Sequence, residues 1–318
     1  MSSFLDRIIL GDCLEVLPSL PEGSIDLVLT DPPYFLDKLD QNWNPSVVAD
    51  ARNRHVVCSL PAGMRFDRAQ GTGFYDWYLQ VARELFRLLK PGGFLFSFSS
   101  PRLYHRMTSA IDDAGFEIRD GFLWLYTQNQ VKAMSLDHVI DRLDISAAEK
   151  EAVKQQLEGW KTPQIKSCFE PIAMAQKPVE GGYLGNMLKH QVGLFNTQIR
   201  VGLNMYPANV LLVDPMGDTL ERFFLLPKPS RSEKLALNDH ATVKPVALCE
   251  HLIRLATAST DAVVLDPFLG SGTTAVAAQN LGRHYIGIER NPEYIEIARQ
   301  RLAEPDPSTN DKKWDVAA

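Results

Sequence analysis

The sequence predicts an α/β protein with a doubly wound, mostly parallel sheet, and two patterns support this fold class. Short apolar runs at residues 25–30 and 94–98 alternate with segments of helical period. The same order returns near the end of the chain, where apolar runs at 262–265 and 285–288 flank a predicted helix. Strands buried on both faces are nearly continuous apolar runs. Strands that alternate with helices build a parallel sheet covered on both faces.

The first half of the chain contains regular elements that end at turn residues. Apolar residues between Trp77 and Leu88 recur at helical spacing, and Pro91-Gly92-Gly93 ends that helix. Residues 35–73 are interrupted by Pro and Gly, so we expect a loop there. The elements predicted for this half are, in order, strand 7–10, a short helix before Pro18, strand 25–30, helix 74–90, strand 94–98, helix 103–114 and strand 116–126.

Residues 127–235 break this alternation and are predicted to be an inserted region rather than a separate domain. Within them, Ser135 can cap a short helix, and Ser146 with Glu149 forms the pattern of a capping box. Such a helix pair either lies along a ligand or packs on a core, and core packing is the commoner case. A short apolar run at 171–175 is expected to rejoin the sheet. The remaining predicted elements are helix 246–256, strand 262–265, helix 273–281, strand 285–288 and helix 292–302.

Length and composition fit a single domain over residues 1–318, with a mobile polar tail at 304–318. Apolar residues make up 45% of the chain and charged residues 23%, as is ordinary for a globular protein. The net charge of −6 argues against a protein that holds nucleic acid by bulk positive charge. The cysteines are scattered, and the sequence has neither a signal peptide nor an apolar run of membrane-spanning length. We therefore expect a cytoplasmic protein that does not enter a membrane.

The tetrapeptide Asp31-Pro32-Pro33-Tyr34 directly follows the predicted strand 25–30. Ligands of open α/β sheets bind at the carboxyl ends of strands. Asp31 offers a carboxylate, and the two prolines fix the backbone so that carbonyls point in set directions. Tyr34 adds an aromatic face. Two acceptors beside a ring suit a planar group that carries an NH2, such as a nucleobase, although a stiffened surface loop would have the same pattern.

A second motif, Asp266-Pro267-Phe268-Leu269-Gly270-Ser271-Gly272-Thr273, follows the strand at 262–265 and opens a helix. Gly270 and Gly272 allow close approach to the backbone, and the free N–H groups of the helix start suit an anionic group. The next strand, at 285–288, leads to Glu289, where an acidic residue can bind ribose hydroxyls. Together these features indicate a nucleoside-containing cofactor.

In this order, the two motifs resemble the DNA amino-methyltransferases that use S-adenosyl-L-methionine, in their circularly permuted β group with its Rossmann-like methyltransferase fold. The segment 238–245 is similar to the family segment H-P-T-x-K-P, with Ala241 in place of the proline and Lys244 at the lysine. Gly11-Asp12 resembles the position that contacts the cofactor adenine, and Glu170-Pro171-Ile172 resembles a family strand. The resemblance covers 1–34, 74–126, 165–177 and 238–302.

The resemblance implies methyl transfer to the exocyclic amine of a flipped-out base in double-stranded DNA, with residues 127–235 as target-recognition region. The catalytic residues it implies are Asp31, Pro32, Pro33 and Tyr34. The cofactor-binding residues it implies are Asp12, Lys244, Asp266, Pro267, Phe268, Gly270, Gly272, Thr273 and Glu289. No His/Cys/Asp cluster has metal-ligand spacing, so no metal is expected.

The target base and the partners stay open at this stage. In the family, Asp at the first position of the tetrapeptide accompanies mostly adenine, so the N6 amine of adenine is preferred and the N4 amine of cytosine is the alternative. Methylation of RNA or of a protein amide is disfavoured, because those enzymes usually carry the cofactor motif first. A non-catalytic DNA-binding module is disfavoured by the intact Asp31, Tyr34 and Gly270. A homodimer and a cognate restriction endonuclease are both compatible with the resemblance.

Overall fold

The structure is a computed structural model that describes residues 1–33, 68–125, 133–162, 168–199, 207–212, 224–225 and 243–303. Its strands are β1 (Arg7–Leu10), β2 (Ile25–Thr30), β3 (Leu89–Phe98), β4 (Glu117–Leu125), β5 (Phe169–Gln176), β6 (Val210–Leu212), β7 (Phe224–Leu225), β8 (Val263–Asp266) and β9 (His284–Glu289). Its α-helices are α1 (Cys13–Val16), α2 (Arg68–Leu88), α3 (Tyr104–Asp113), α4 (Asp137–Ile140), α5 (Ala147–Gln156), α6 (Tyr183–His190), α7 (Val246–Ala256), α8 (Thr273–Asn280) and α9 (Pro292–Ala303).

These strands form one sheet in the order β1-β9-β8-β2-β3-β5-β4-β6-β7. The pairs from β1 through β3 are parallel, and so are the pairs of β6 with β4 and with β7. Only β5 among them runs against its neighbours, β3 and β4. The predicted α/β class with a mostly parallel, doubly wound sheet is therefore confirmed.

Helices cover both faces of the sheet, as the alternation of strands and helices predicts. Successive residues of β2 point to opposite faces, so that Leu27 and Leu29 join one core cluster and Val28 joins the other. The first cluster includes side chains of α7 and α8, and the second includes side chains of α1, α2 and α3. All of β2 is buried, which explains its continuous apolar sequence.

The predicted loop at 35–73 is wrong for its last six residues, because α2 begins at Arg68 and runs 21 residues to Leu88. Residues 34–67 lie outside the described residues. Gly71 and Gly73 each cost a helix about 1 kcal/mol relative to alanine. That cost is small beside the gain from burying the apolar face of α2, which includes the fully buried Tyr78 and Leu85. Packing thus overrides local propensity in this turn of the helix.

The predicted strand at 171–175 is confirmed as β5, which lies between β3 and β4. The region 127–235 thus contributes three strands to the central sheet, β5, β6 and β7, and β5 divides the region. On one side of it lies a hairpin of α4 and α5, whose predicted capping box is present: Ser146 N donates to Glu149 Oε2 at 2.9 Å. Ile140 is buried, but α5 buries none of its residues. The expected core packing of the helix pair therefore holds for α4 only.

Within the described ranges, every helix is too short or too polar to cross a bilayer.

Candidate functional site

Acidic side chains are gathered at one edge of the sheet. Strands β1, β9, β8 and β2 are neighbours, and the acidic residues at or just after their carboxyl ends are Asp12, Glu289, Asp266 and Asp31. In a parallel sheet these ends lie at a common edge, which is where open α/β sheets bind ligands. The two sequence motifs, far apart along the chain, therefore meet in one place.

A buried hydrogen bond joins the two motifs directly. Thr30, the last residue of β2, donates from Oγ1 to Asp266 Oδ1 at 2.8 Å, and Phe268 N donates to the same oxygen at 3.0 Å. Burial raises the pKa of Asp266 to about 6, against the lowering effect of its hydrogen bonds, and the negative charge of Asp31 adds to the rise. A cation bound nearby would favour the ionised form of this carboxyl group.

Asp31 belongs to a group of three charged side chains. The Nζ atom of Lys244 donates to Asp31 Oδ2 and lies 3.2 Å from Glu170 Oε2. Burial alone lowers the pKa of Lys244, but the charges of Asp31 and Glu170 outweigh burial and hold that pKa above its ordinary value. Lys244 is thus a buried ammonium, only 5% exposed, which also lies 5.0 Å from the centroid of the Phe98 ring.

The rest of the tetrapeptide differs in exposure. Pro32 is buried and Pro33 is exposed. Tyr34 lies outside the described residues, and its role stays a prediction.

The glycine turn adopts a backbone that requires glycine. Gly270 has φ 54° and Gly272 has φ 90°, both in the left-handed region. A Cβ atom at Gly272 would lie 2.7 Å from the Cβ atom of Ala298 on α9. Close packing of α9 against the turn therefore accounts for Gly272, and contact of either glycine with a ligand stays a prediction.

Arg301 fixes this turn from α9 and was not predicted from the sequence. The residue is 5% exposed, and its Nη1 donates to Ser271 O at 2.8 Å and to Thr273 Oγ1 at 3.1 Å. The predicted residue Thr273 is thus the first residue of α8 and a partner of this arginine. An arginine in the last turn of an amphipathic helix is usually solvated, so the sequence carried no signal for this contact.

Glu289 and Asp12 are held by backbone amides at the end of β9 and β1. Glu289 accepts from Gly270 N and from Asn291 N, each at 2.8 Å, and Asp12 Oδ1 accepts from Leu14 N at 2.8 Å as the cap of α1. A carboxylate has about four lone-pair sites. Both side chains can therefore accept further hydrogen bonds from the hydroxyl or amine groups of a ligand.

Two aromatic side chains, Phe268 and Trp77, pack together beside the same edge. Pro267 is buried, whereas Phe268 is partly exposed and packs on Trp77 of α2 with ring centroids 5.4 Å apart. Pro267 and Phe268 directly follow Asp266, and their predicted contact with a cofactor stays a prediction.

A family model described as DNA methylase, for the N6 and N4 enzymes, matches residues 25–300. Among curated proteins, the Type II methyltransferase M.HindIII of Haemophilus influenzae (strain ATCC 51907 / DSM 11121 / KW20 / Rd) is 29% identical over 313 residues, which are 94% of this chain and 95% of that protein.

Solved structures have the same fold. The M1.HpyAVI–SAM complex superposes with a TM-score of 0.52 at 21% identity, covering 94% of this chain and 99% of that one. The cytosine-N4-specific PvuII DNA methyltransferase superposes with a TM-score of 0.56 at 20% identity, covering 94% of this chain and 86% of that one.

Proposed function

The chain belongs to the DNA methylase family, and from that premise we propose that it transfers a methyl group from S-adenosyl-L-methionine to the N6 amine of adenine in double-stranded DNA. One observation carries the proposal. The Asp31 end of β2 and the glycine-turn end of β8 are neighbours, linked by the bond from Thr30 to Asp266. An acceptor for an amine thus lies beside a site for a nucleoside cofactor.

The chemistry of the site residues fits S-adenosyl-L-methionine. The cofactor is positively charged at its sulfonium and ammonium groups and offers ribose hydroxyls and an adenine amine as hydrogen-bond donors. The edge offers acceptors with negative charge, among them Asp12, Asp266 and Glu289. We assign Glu289 to the ribose hydroxyls and Asp12 to the adenine, with Phe268 and the Gly270 turn beside them. Lys244 contacts Asp31 and Glu170, so its predicted cofactor contact stays a prediction.

The bound cofactor supplies an electrophilic methyl group on a sulfonium. The work of the protein is to prepare the attacking amine, whose lone pair is otherwise delocalised into the base. Asp31 accepts an N–H of that amine, and the carbonyl of Pro32 accepts the other. Both hydrogen bonds favour a pyramidal nitrogen whose lone pair points away from the ring. This is catalysis by positioning and electrostatics, with no covalent intermediate on the enzyme.

The base must leave the duplex to reach Asp31, because the edge of the sheet cannot enter a stacked helix of DNA. We propose that Tyr34 stacks on the flipped base, which contributes about 1–3 kcal/mol. Adenine is preferred because the tetrapeptide begins with Asp31. Cytosine N4 is the second candidate, and one of the solved structures that share the fold is named as cytosine-N4-specific.

We propose that residues 127–235, on either side of β5, read the DNA sequence. The hairpin of α4 and α5 supports this, because it lies on the surface, and Trp160 at its end is 73% exposed.

The proposed partners and location rest on the relatives. M.HindIII is named a Type II methyltransferase. By analogy with that protein, we propose that this chain has a cognate restriction endonuclease as a partner. We also propose a homodimer and, as a DNA substrate requires access to the chromosome, a cytoplasmic location.

A methyl-transfer assay tests the proposed class of activity. Purified protein with tritium-labelled S-adenosyl-L-methionine is expected to label unmethylated duplex genomic DNA and to leave total RNA and protein unlabelled. The reason is that the family and the order of the motifs both indicate DNA. Label that appears only in RNA or protein would contradict the proposed substrate.

A further inference from the structure

The group formed by Asp31, Lys244 and Glu170 carries a further role in the reaction. We propose that Lys244, held by Glu170, is a positioning residue that keeps the Asp31 carboxylate ionised and oriented when the target base closes the site. This inference rests on the proposed function, in which Asp31 accepts the target amine. Glu170 and Lys244 then act through Asp31 and need not touch the base.

Long-range contacts show that the group is built into the fold. Lys244 precedes α7, Glu170 lies on β5, and Asp31 follows β2, so three separate segments converge on one ammonium. The bond from Lys244 to Asp31 spans 213 residues, and Nζ lies 3.2 Å from Glu170 Oε2. The Lys244 side chain is 6% exposed, against 20% for Asp31 and 23% for Glu170. The cation is thus the most buried member of the group.

The antiparallel direction of β5 places Glu170 there. Its amino end lies at the same edge as the carboxyl ends of β2 and β3, as the bond from Ser99 N to Pro171 O at 2.9 Å shows. A parallel strand in that position would have carried Glu170 to the opposite edge. The reversal of one strand therefore brings a second carboxylate to Lys244.

The positive charge of Lys244 matters most when the flipped base fills the site. A flipped base excludes water from Asp31, and loss of water favours the neutral carboxyl group. A protonated Asp31 would be a donor on one oxygen and a weaker acceptor for the amine. The ammonium of Lys244 opposes this change, because an opposite charge within about 4–6 Å stabilises the ionised form. Since a carboxylate has about four lone-pair sites, Asp31 can bind Lys244 and the amine together.

Other titratable groups face Asp31 from the neighbouring elements. Asp266 on β8 and Tyr78 on α2 are both buried and electrostatically coupled to Asp31, and Glu170 approaches from β5. Asp266 and Glu170 are acidic, so Asp31 lies in a group that gathers several carboxyl groups. Lys244 is a cation in direct contact with Asp31, so its removal takes a positive charge away from the proposed acceptor.

The pH dependence of single-turnover methyl transfer to unmethylated genomic DNA, at saturating cofactor, tests the inference. The acid limb of that profile reports ionisation of groups in the bound complex. The limb is expected to move up by about 1–3 pH units in K244M, because the opposite charge beside Asp31 is lost. In E170Q, where a negative neighbour is lost and an acceptor for Lys244 is kept, the limb should move to lower pH. K244R, which keeps the charge, should stay closest to the native limb.

Lys90 offers a matched control at the other end of β2. It pairs with the buried Asp26 at 2.6 Å, and its side chain is 27% exposed. K90M removes an ion pair that joins Lys90 of β3 to Asp26 of β2, and it should leave the acid limb in place. A limb in K244M that coincides with those of the native protein and K90M would overturn the inference.

The remaining outcomes are also decisive. If K244M does not fold, E170Q carries the test, and a limb that stays in place or moves upward in E170Q overturns the inference. Native protein that transfers no methyl group to DNA contradicts the proposed function itself, whatever the variants do. Transfer by the native protein with an unmoved limb in K244M contradicts only the role of Lys244.

Discussion

Replacement of Asp31 with alanine is expected to reduce the single-turnover rate of methyl transfer by about 10²–10³-fold or more. Asp31 directly follows β2 and is the proposed hydrogen-bond acceptor of the target amine. The variant therefore loses both the negative charge and the orientation of the amine that favour attack on the methyl group. Cofactor affinity should remain close to native, because the proposed cofactor contacts lie on β1, β8 and β9. Single-turnover rates with labelled cofactor and calorimetric binding measure the two quantities separately.

Two further variants keep this prediction interpretable. D31N preserves the size of the side chain and should also be slow, because an amide lacks the negative charge. D26N changes an aspartate of the same strand that binds Lys90 and Val263 N far from the proposed reaction. It should affect stability and leave the rate per folded molecule unchanged. A D31A protein that turns over at the native rate would remove Asp31 from the mechanism.

Replacement of Gly272 with alanine is expected to lower the free energy of unfolding by about 2–5 kcal/mol, from backbone strain and overpacking together. At φ 90° a Cβ atom is strained, and it would also lie 2.7 Å from Ala298 Cβ and 3.0 Å from Ala298 Cα. The second contact is with backbone, which cannot move without shifting α9. Because the turn carries Gly270, which binds Glu289, cofactor affinity should fall as well.

Gly282 provides the matched control for this variant. It has φ 65°, and a Cβ atom there would meet nothing within 4 Å. G282A should therefore show only the backbone cost of about 1–2 kcal/mol. The double variant G272A/A298G should recover part of the additional loss. Equal unfolding midpoints of G272A and G282A in urea would show that α9 does not restrict the turn.

Most of the fold could be predicted from local pattern. The strands β2, β8 and β9 are short, mostly apolar runs with an acidic residue at or just after the carboxyl end, and each was found where the alternation predicted it. The motifs at Asp31 and Gly270 were expected at strand ends for the same reason. Parallel pairing then places those ends at one edge without any further information.

What the sequence could not supply were contacts that depend on strand direction and on side chains far apart in the chain. Glu170 was noted only as part of a strand, because its place at the site follows from the antiparallel direction of β5. The contact of Arg301 with Ser271 likewise depends on how α9 packs against the turn. The first turn of α2, at 68–73, was missed because Gly71 and Gly73 are poor helix formers and the buried apolar face of the helix begins only at Phe74.

We propose that Asp31 accepts a hydrogen bond from the N6 amine of adenine and so prepares that amine for methyl transfer. The most direct measurement is mass spectrometry of the nucleosides from unmethylated duplex DNA after treatment with the purified protein and S-adenosyl-L-methionine. We predict N6-methyladenine, which should be lost when the D31A variant replaces the native protein. N4-methylcytosine without N6-methyladenine would contradict the assignment of the base, and the absence of both from DNA treated with folded protein would contradict the proposed activity.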